Sequence, residues 1–297
     1  MSRKRLRTDD TDQTNQTPPE VVNDSMPLLP RRLELSIFGG RPVNDLVKVV
    51  SDFLYKYINE PNIEIEAKLG VLVDKNTKNR LFLPIACEAV IDPNDSLNSR
   101  LTFSSDMTLE QHKSFNEILN KRFSETNARN YQGARMTYIH TKDTDRFYNI
   151  ERGGRVRVTT REGQVIENGV VEKSRLANLN IFSPRTRLDY RITVNIETPR
   201  ELPTGRHHYE RIKDRMSYTH QIFKFDLTQV KIPETTNMSG RDQRSNKELT
   251  HELEIEFLDP QVLLTERQNF EKKRPDRFIE IVEVFVNNIQ QLVQYAG

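Results

Sequence analysis

Between residues 63 and 258 lie many segments in which apolar and polar side chains alternate. The spacing turns helical only toward the ends of the chain and once in between. Alternation of period two puts successive side chains on opposite faces of an extended strand. It predicts strands near 63–73, 100–104, 133–140, 145–151, 154–161, 170–182, 187–197, 209–220, 222–231 and 248–258. Helical spacing predicts a helix over 42–59, with Leu46, Val49, Val50, Phe53, Leu54 and Tyr57 as its apolar side. A second helix is predicted over 108–123, with Thr108 as N-cap and Glu110 in the first turn. A third spans 276–295 with the stripe Phe278, Ile281, Val282, Phe285, Val286, Ile289, Leu292 and Val293, and a shorter one fits 262–272. Many alternating segments with few helices among them predict a mainly β, α+β chain built on an antiparallel sheet or barrel, its helices packed on the apolar side. No glycine-rich phosphate loop opens a helix, which argues against a nucleotide-binding α/β fold.

The polar faces are sorted by charge. In I-E-I-E-A-K-L-G, Glu64, Glu66 and Lys68 share a face, and in H-E-L-E-I-E-F, Glu252, Glu254 and Glu256 do. Same-face neighbours stand roughly 6.5–7 Å apart, close enough for like charges to repel unless cations lie between them. Three other rows are cationic: Arg155 and Arg157 with Thr159; Arg211, Lys213 and Arg215 with Ser217; and Lys173 with Arg175. Two more are mixed: Lys224, Asp226 and Thr228; and Arg191, Thr193, Asn195 and Glu197. Two arrangements satisfy this pattern. A sandwich would keep the charged faces in water. A sheet closed with those faces inward would enclose an acidic wall and a basic wall, which a polyphosphate and a divalent metal together would complete.

Composition narrows the setting. The chain of 297 residues carries 30% charged and 35% hydrophobic residues but a net charge of only +2, so no global basic field marks it as a nucleic-acid binder. The cationic rows read as lacking interleaved aromatics for base stacking, which counts against a non-enzymatic RNA-binding β protein. One cysteine, Cys87, excludes an internal disulfide and a multi-cysteine zinc site. Its context L-P-I-A-C-E-A lacks a cysteine-phosphatase loop and predicts a buried structural thiol. His207-His208, adjacent and so oppositely directed in a strand, are expected in a loop or at the surface. No apolar run is long enough to span a membrane, and no signal-peptide core follows the start. Residues 1–30 predict a disordered tail bearing the basic cluster Arg3–Arg7, followed by one domain over 31–297, with an exposed loop at 233–247.

Taken in order, E-I-E-A-K, R-I-K-D-R, K-F-D-L-T and E-L-E-I-E resemble the triphosphate tunnel metalloenzymes, and among these the fungal RNA 5′-triphosphatases of the mRNA-capping β subunit, fission-yeast type. The likeness covers roughly residues 35–297. It implies a closed eight-stranded antiparallel β tunnel with helices outside, and release of the γ-phosphate from 5′-triphosphate RNA. It implies Glu64, Glu66 and Glu256 as ligands of Mg²⁺ or Mn²⁺, and Arg157, Lys213 and Arg215 as holders of the γ-phosphate, with Arg155 sharing the face of Arg157. Glu197 would position the attacking water. Lys68, Lys173, Arg211, Asp226, Thr228, Glu252 and Glu254 would support the tunnel, as would Lys224, which stands where the pattern carries an Arg. Homodimers, a nuclear location and a guanylyltransferase or RNA polymerase II tail as partner come with the same resemblance. An enzyme of the same fold acting on tripolyphosphate or nucleoside triphosphates is the alternative.

Overall fold

The computed structural model describes residues 34–150, 154–233 and 249–296. The predicted tail, its Arg3–Arg7 cluster and nearly all of the 233–247 loop lie outside the described residues. Residues 34–42 belong to one compact unit and 43–296 to another. In the first, the Ser36 hydroxyl donates to the Gly40 carbonyl at 2.5 Å across a turn where Gly39 takes a φ of +75°.

The second unit runs α1 (Asp45–Tyr57), β1 (Ile63–Asp74), β2 (Ala89–Ile91), α2 (Ser96–Arg100), β3 (Leu101–Ser104), α3 (Leu109–Thr126), β4 (Thr137–Asn149), β5 (Arg155–Arg161), β6 (Gln164–Phe182), β7 (Asp189–Pro199), β8 (Tyr209–His220), β9 (Phe223–Lys231), β10 (Leu249–Phe257), α4 (Gln261–Glu271) and α5 (Phe278–Tyr295). Eight strands pair antiparallel in the order β10-β9-β8-β4-β5-β6-β7-β1, and β1 pairs back onto β10 to close the ring. This is the tunnel, not the sandwich. β3 extends from β1, and β2 from β6.

Closure follows from burial. The odd-numbered face of β1 (Ile63, Ile65, Ala67, Leu69) points outward into a core shared with Tyr190, Ile192 and Val194 of β7 and Leu253, Ile255 and Phe257 of β10. α5 lies over β1 and β7, and every residue of its predicted stripe is buried. Phe285 stacks on Phe223 at 5.9 Å and meets Phe257 at 4.8 Å. α3 packs on β9 and β10 and opens with a reciprocal cap: Gln111 N–H donates to Thr108 Oγ1 (3.2 Å) and Thr108 N–H to Gln111 Oε1 (3.0 Å).

Several expectations need correction. On α1 the buried side is Val47, Val50 and Leu54, and Val49 is exposed. The two strands predicted at 133–140 and 145–151 are one, β4, because the polar stretch T-K-D-T-D is tunnel wall rather than loop. β6 begins at Gln164, six residues early, in a tight hairpin whose Glu162 and Gly163 both take positive φ. β2 and α2 were not anticipated. Cys87 is exposed, not buried: its apolar run lies in the irregular connection between β1 and β2, where no strand or helix carries it into the core.

Candidate active site

The inward faces of the eight strands enclose a cavity of about 720 Å³. Fifteen of the sixteen residues singled out above line it, and the sixteenth, Asp226, is buried directly behind. Ten Lys and Arg side chains face six glutamates in the lining, and with Asp145 and Asp226 behind them the excess is two positive charges. The cavity is therefore built for an anion.

The acidic wall lies along the closing seam. Glu66 of β1 sits opposite Glu256 of β10, and Glu64 beside Asn195 of β7. The Asn195 amide donates to both Glu64 (2.9 Å) and Glu66 (3.1 Å), holding the two carboxylates side by side. The Lys173 ammonium contacts Glu64 and lies 3.6 Å from Glu66 and 3.5 Å from Glu197, so a cation stands among three carboxylates. Lys224 likewise pairs with Glu256, and Lys68 with Glu254. Burial pushes the Glu256 carboxyl up, Lys224 opposes this, and Asp226 and Glu64 add repulsion. Among the described residues no three acidic, His or Cys side chains already converge at ligating distance. The set nonetheless fits a hard divalent ion: its donors are carboxylate oxygens, crowded and held together by ammonium groups that such an ion would displace.

The basic wall is anchored from beneath. Asp145 of β4, wholly buried, accepts from Thr159 (2.7 Å), Arg211 Nε (2.9 Å) and Lys213 Nζ (2.8 Å). Burial opposes its ionisation, yet Lys213, Arg211 and Arg157 hold the carboxyl far below the usual range. Burial, then Arg215 and Arg211, lower the Lys213 ammonium to about 8. Arg215 reaches Asp226 (3.2 Å) and Thr228 (3.3 Å), and Lys224 reaches Asp226 (3.3 Å). Arg157 of β5 donates to Glu197 of β7 at 3.1 Å, over the intervening β6, whereas Arg155 lies over the ring of Phe147.

Sequence reasoning missed Asp145 and, as the link between two glutamates, Asn195; it placed Arg175 and Arg191 on charged strand faces without giving them a role in the site, although both line the cavity. It also read the cationic faces as free of aromatics, and the structure overturns that: Tyr209, Phe147 and Phe103 all line the cavity. Tyr209 precedes Arg211 by two residues and shares its face, a signal present in the alternation itself. His207 and His208 lie just before β8, outside the strand, as expected.

Comparison with known proteins agrees with this architecture. Residues 40–296 match the family described as mRNA capping enzyme, beta chain. The mRNA-capping enzyme subunit beta of Schizosaccharomyces pombe is 34% identical over 270 residues, covering 88% of this chain and 84% of that protein. That of Cryptococcus neoformans var. neoformans is 36% identical over 268 residues, covering 87% and 64% respectively. The structure of the S. pombe Pct1 RNA triphosphatase superposes with a TM-score of 0.79 at 33% identity, over 90% of this chain and 99% of that one. A second structure, of Pct1 in complex with the Spt5 CTD, gives 0.78 at the same identity. A closed antiparallel tunnel with opposed acidic and cationic walls, matched across nearly its whole length by these relatives, identifies the chain as a member of the mRNA capping enzyme β-chain family.

Proposed function

We infer that this chain is an RNA 5′-triphosphatase, a hydrolase that removes the γ-phosphate from triphosphate-ended nascent mRNA as the first step of cap formation. The observation that carries the reading is the cavity itself: carboxylates and cations on facing walls, with a net excess of positive charge, in a family of capping subunits. Phosphoryl transfer needs positioning and charge neutralisation more than covalent chemistry. Arg157, Lys213 and Arg215 take the γ-phosphate oxygens, and Asp145 keeps Lys213 and Arg211 extended toward them. Glu197 is held by Arg157 and Lys173 where it can orient a water and accept its proton. Glu64, Glu66 and Glu256 would hold Mg²⁺ or Mn²⁺, which when bound would supply positive charge to offset the negative charge developing on the reacting phosphate. Lys68 and Lys224 pair with Glu254 and Glu256 on the neighbouring strand, Thr228 accepts from Arg215, and Glu252 accepts from Ser105, so each supports the lining beside it.

The catalytic unit proposed is the tunnel with its helices, within residues 43–296. The likeness to Pct1, whose structure holds the Spt5 CTD, supports docking of a polymerase-associated tail and work in the nucleus; a homodimer and a guanylyltransferase partner are carried over from the family resemblance alone. No helix among the described residues is long and apolar enough to cross a membrane.

The experiment is phosphate release from γ-labelled triphosphate RNA, ATP and tripolyphosphate, with and without Mg²⁺ or Mn²⁺. Glu64→Ala and Glu256→Ala are expected to abolish metal-dependent release while the proteins keep their β-rich circular dichroism. Full activity in either would discard the metal assignment.

A further inference from the structure

The tunnel has two chemically different ends, and strand register says which residues share each. Gly70 of β1 lies beside Asp189 of β7, and Asn180 of β6 beside Arg191, so Arg191 belongs to the end toward which β1 runs; Arg175, whose backbone pairs with Asn195 further along, shares a recess at that end with Arg191 and Phe103. Following the ring in the other direction, Lys231 of β9 pairs with both Leu249 of β10 and Ile212 of β8, and Phe147 of β4 with Tyr209. Phe147 and Tyr209 therefore lie toward that same end. The opposite end carries the pairs Glu64–Asn195 and Glu256–Lys224. All three aromatics that line the cavity gather at one end, and the crowded carboxylates lie toward the other.

The aromatic end is a built feature. The inward row of β1 reads Glu64, Glu66, Lys68, Gly70, and the last position has no side chain. A Cβ there would lie 2.1 Å from the Ser104 carbonyl and 2.8 Å from the Phe103 ring, so the glycine admits the ring to the tunnel end. The Arg191 guanidinium lies 4.9 Å over that ring, fixed by a 2.7 Å hydrogen bond to Asn180 Oδ1. Burial, with Arg175 adding repulsion, lowers Arg191 to about 10. No acidic side chain among the described residues pairs with either arginine at salt-bridge distance. A recess of about 380 Å³ opens beside the tunnel and shares Phe103, Arg175 and Arg191 with it, within the size range of small-ligand sites.

Aromatic rings interleaved with arginines form the stacking surface that single-stranded nucleic acid uses: each base offers a face, and the cations meet phosphates. The span from Glu66 to Gly70 is about 13 Å at ~3.3 Å per residue, which an extended triphosphate and a ribose fill. We propose that the RNA enters at this end, with its first nucleoside against the Phe103–Arg191 pair, its 3′ phosphodiester at Arg175, and its triphosphate directed down the tunnel to the acidic wall. Phe147 and Tyr209, 5.3 Å apart across from them, bound the same mouth. The assignment rests on the triphosphatase reading above and adds a direction to it.

The test places 5-iodouridine as the first nucleotide of a short diphosphate-ended RNA, the reaction product, and maps the photocrosslinked peptide. Crosslinking within 101–104 is expected. Crosslinking near Lys224 or Arg161 at the far end, or none above that of the same RNA with a 5′ hydroxyl, overturns the proposal. In parallel, Phe103→Ala and Arg175→Ala should each lower the ratio of kcat/KM for triphosphate RNA to that for tripolyphosphate about tenfold, with Phe103→Tyr restoring it. An unmoved ratio in an enzyme that hydrolyses both substrates overturns this inference alone; a wild-type protein inert on both overturns the triphosphatase reading beneath it.

Discussion

Replacing Asp145 probes the foundation of the basic wall. Its carboxylate is the buried counter-charge for Lys213 and Arg211, and Lys213 is itself only 6% exposed. Asp145→Ala leaves these cations facing Arg157 and Arg215 with nothing between them. Removing one partner of a buried ion pair costs about 3–5 kcal/mol, which for a domain of this size lowers the melting temperature by roughly 6–20 °C. Asp145→Asn keeps an acceptor for Thr159 and loses only the charge, so it separates packing from electrostatics. Asp145 holds the Lys213 proton on against burial, Arg215, Arg211 and Arg157. With wild-type Lys213 at about 8, kcat/KM for triphosphate RNA should fall as pH rises through 8 and Lys213 loses its charge. In Asp145→Asn that alkaline limb should move about a unit lower. Added tripolyphosphate, which replaces the lost negative charge, should raise the variant's melting temperature more than the wild type's. The assays are thermal unfolding with and without tripolyphosphate, and kcat/KM against pH. A variant with wild-type melting and an unmoved alkaline limb would refute the reasoning.

Two further perturbations test the frame. Gly70→Ala should destabilise by about 1–3 kcal/mol or more, because the obstructing atom is the Ser104 backbone carbonyl and cannot swing aside; unchanged denaturant unfolding would show that β3 shifts freely. His112 of α3 is buried 4.8 Å from the His251 ring of β10, and burial, then His251, lower it to about 4. The unfolded chain therefore binds a proton near pH 6.5 that the folded one refuses, and stability is lost as pH falls from 6.5 toward 4, by about 3 kcal/mol. His112→Phe should flatten that dependence in denaturant unfolding at pH 7 and about pH 4, and equal acid sensitivity in the variant would exclude His112 as its source.

The sequence made the faces legible and left the closure open. Alternation sorted Glu64 and Glu66 from Ile63 and Ile65 correctly, because a strand with one apolar face can bury it in only one way. The same alternation is satisfied by a sandwich and by a tunnel. What separates them is the pairing of β1 with β10, a contact between segments nearly the whole domain apart. Asp145 opens the strand predicted at 145–151, but in T-K-D-T-D it carried no sign of anchoring the cationic row. Phe147, two residues beyond, shares its face, but that face joined the cationic rows only once β4 paired with β8. Phe103 sits on a four-residue strand too short to show which way it faces, and its reach into the tunnel depends on a glycine more than thirty residues away. Cys87 misled because an apolar run implies burial only where regular structure satisfies its backbone, and that connection has none.

The seam between β1 and β10 has a consequence for how the protein matures. Glu66 and Glu256 face each other across the joint that brings together the first and last strands of the ring. Until the carboxy-terminal segment has been synthesised and has docked, half of the acidic wall is missing and β1 stands as an open edge. A register slip of one residue there would send Ile255 into the channel and turn Glu256 out toward α5. A chain whose last strand is absent or slipped lacks half of that wall, and completing the ring requires closing a very long loop, a contact that contributes to slow folding.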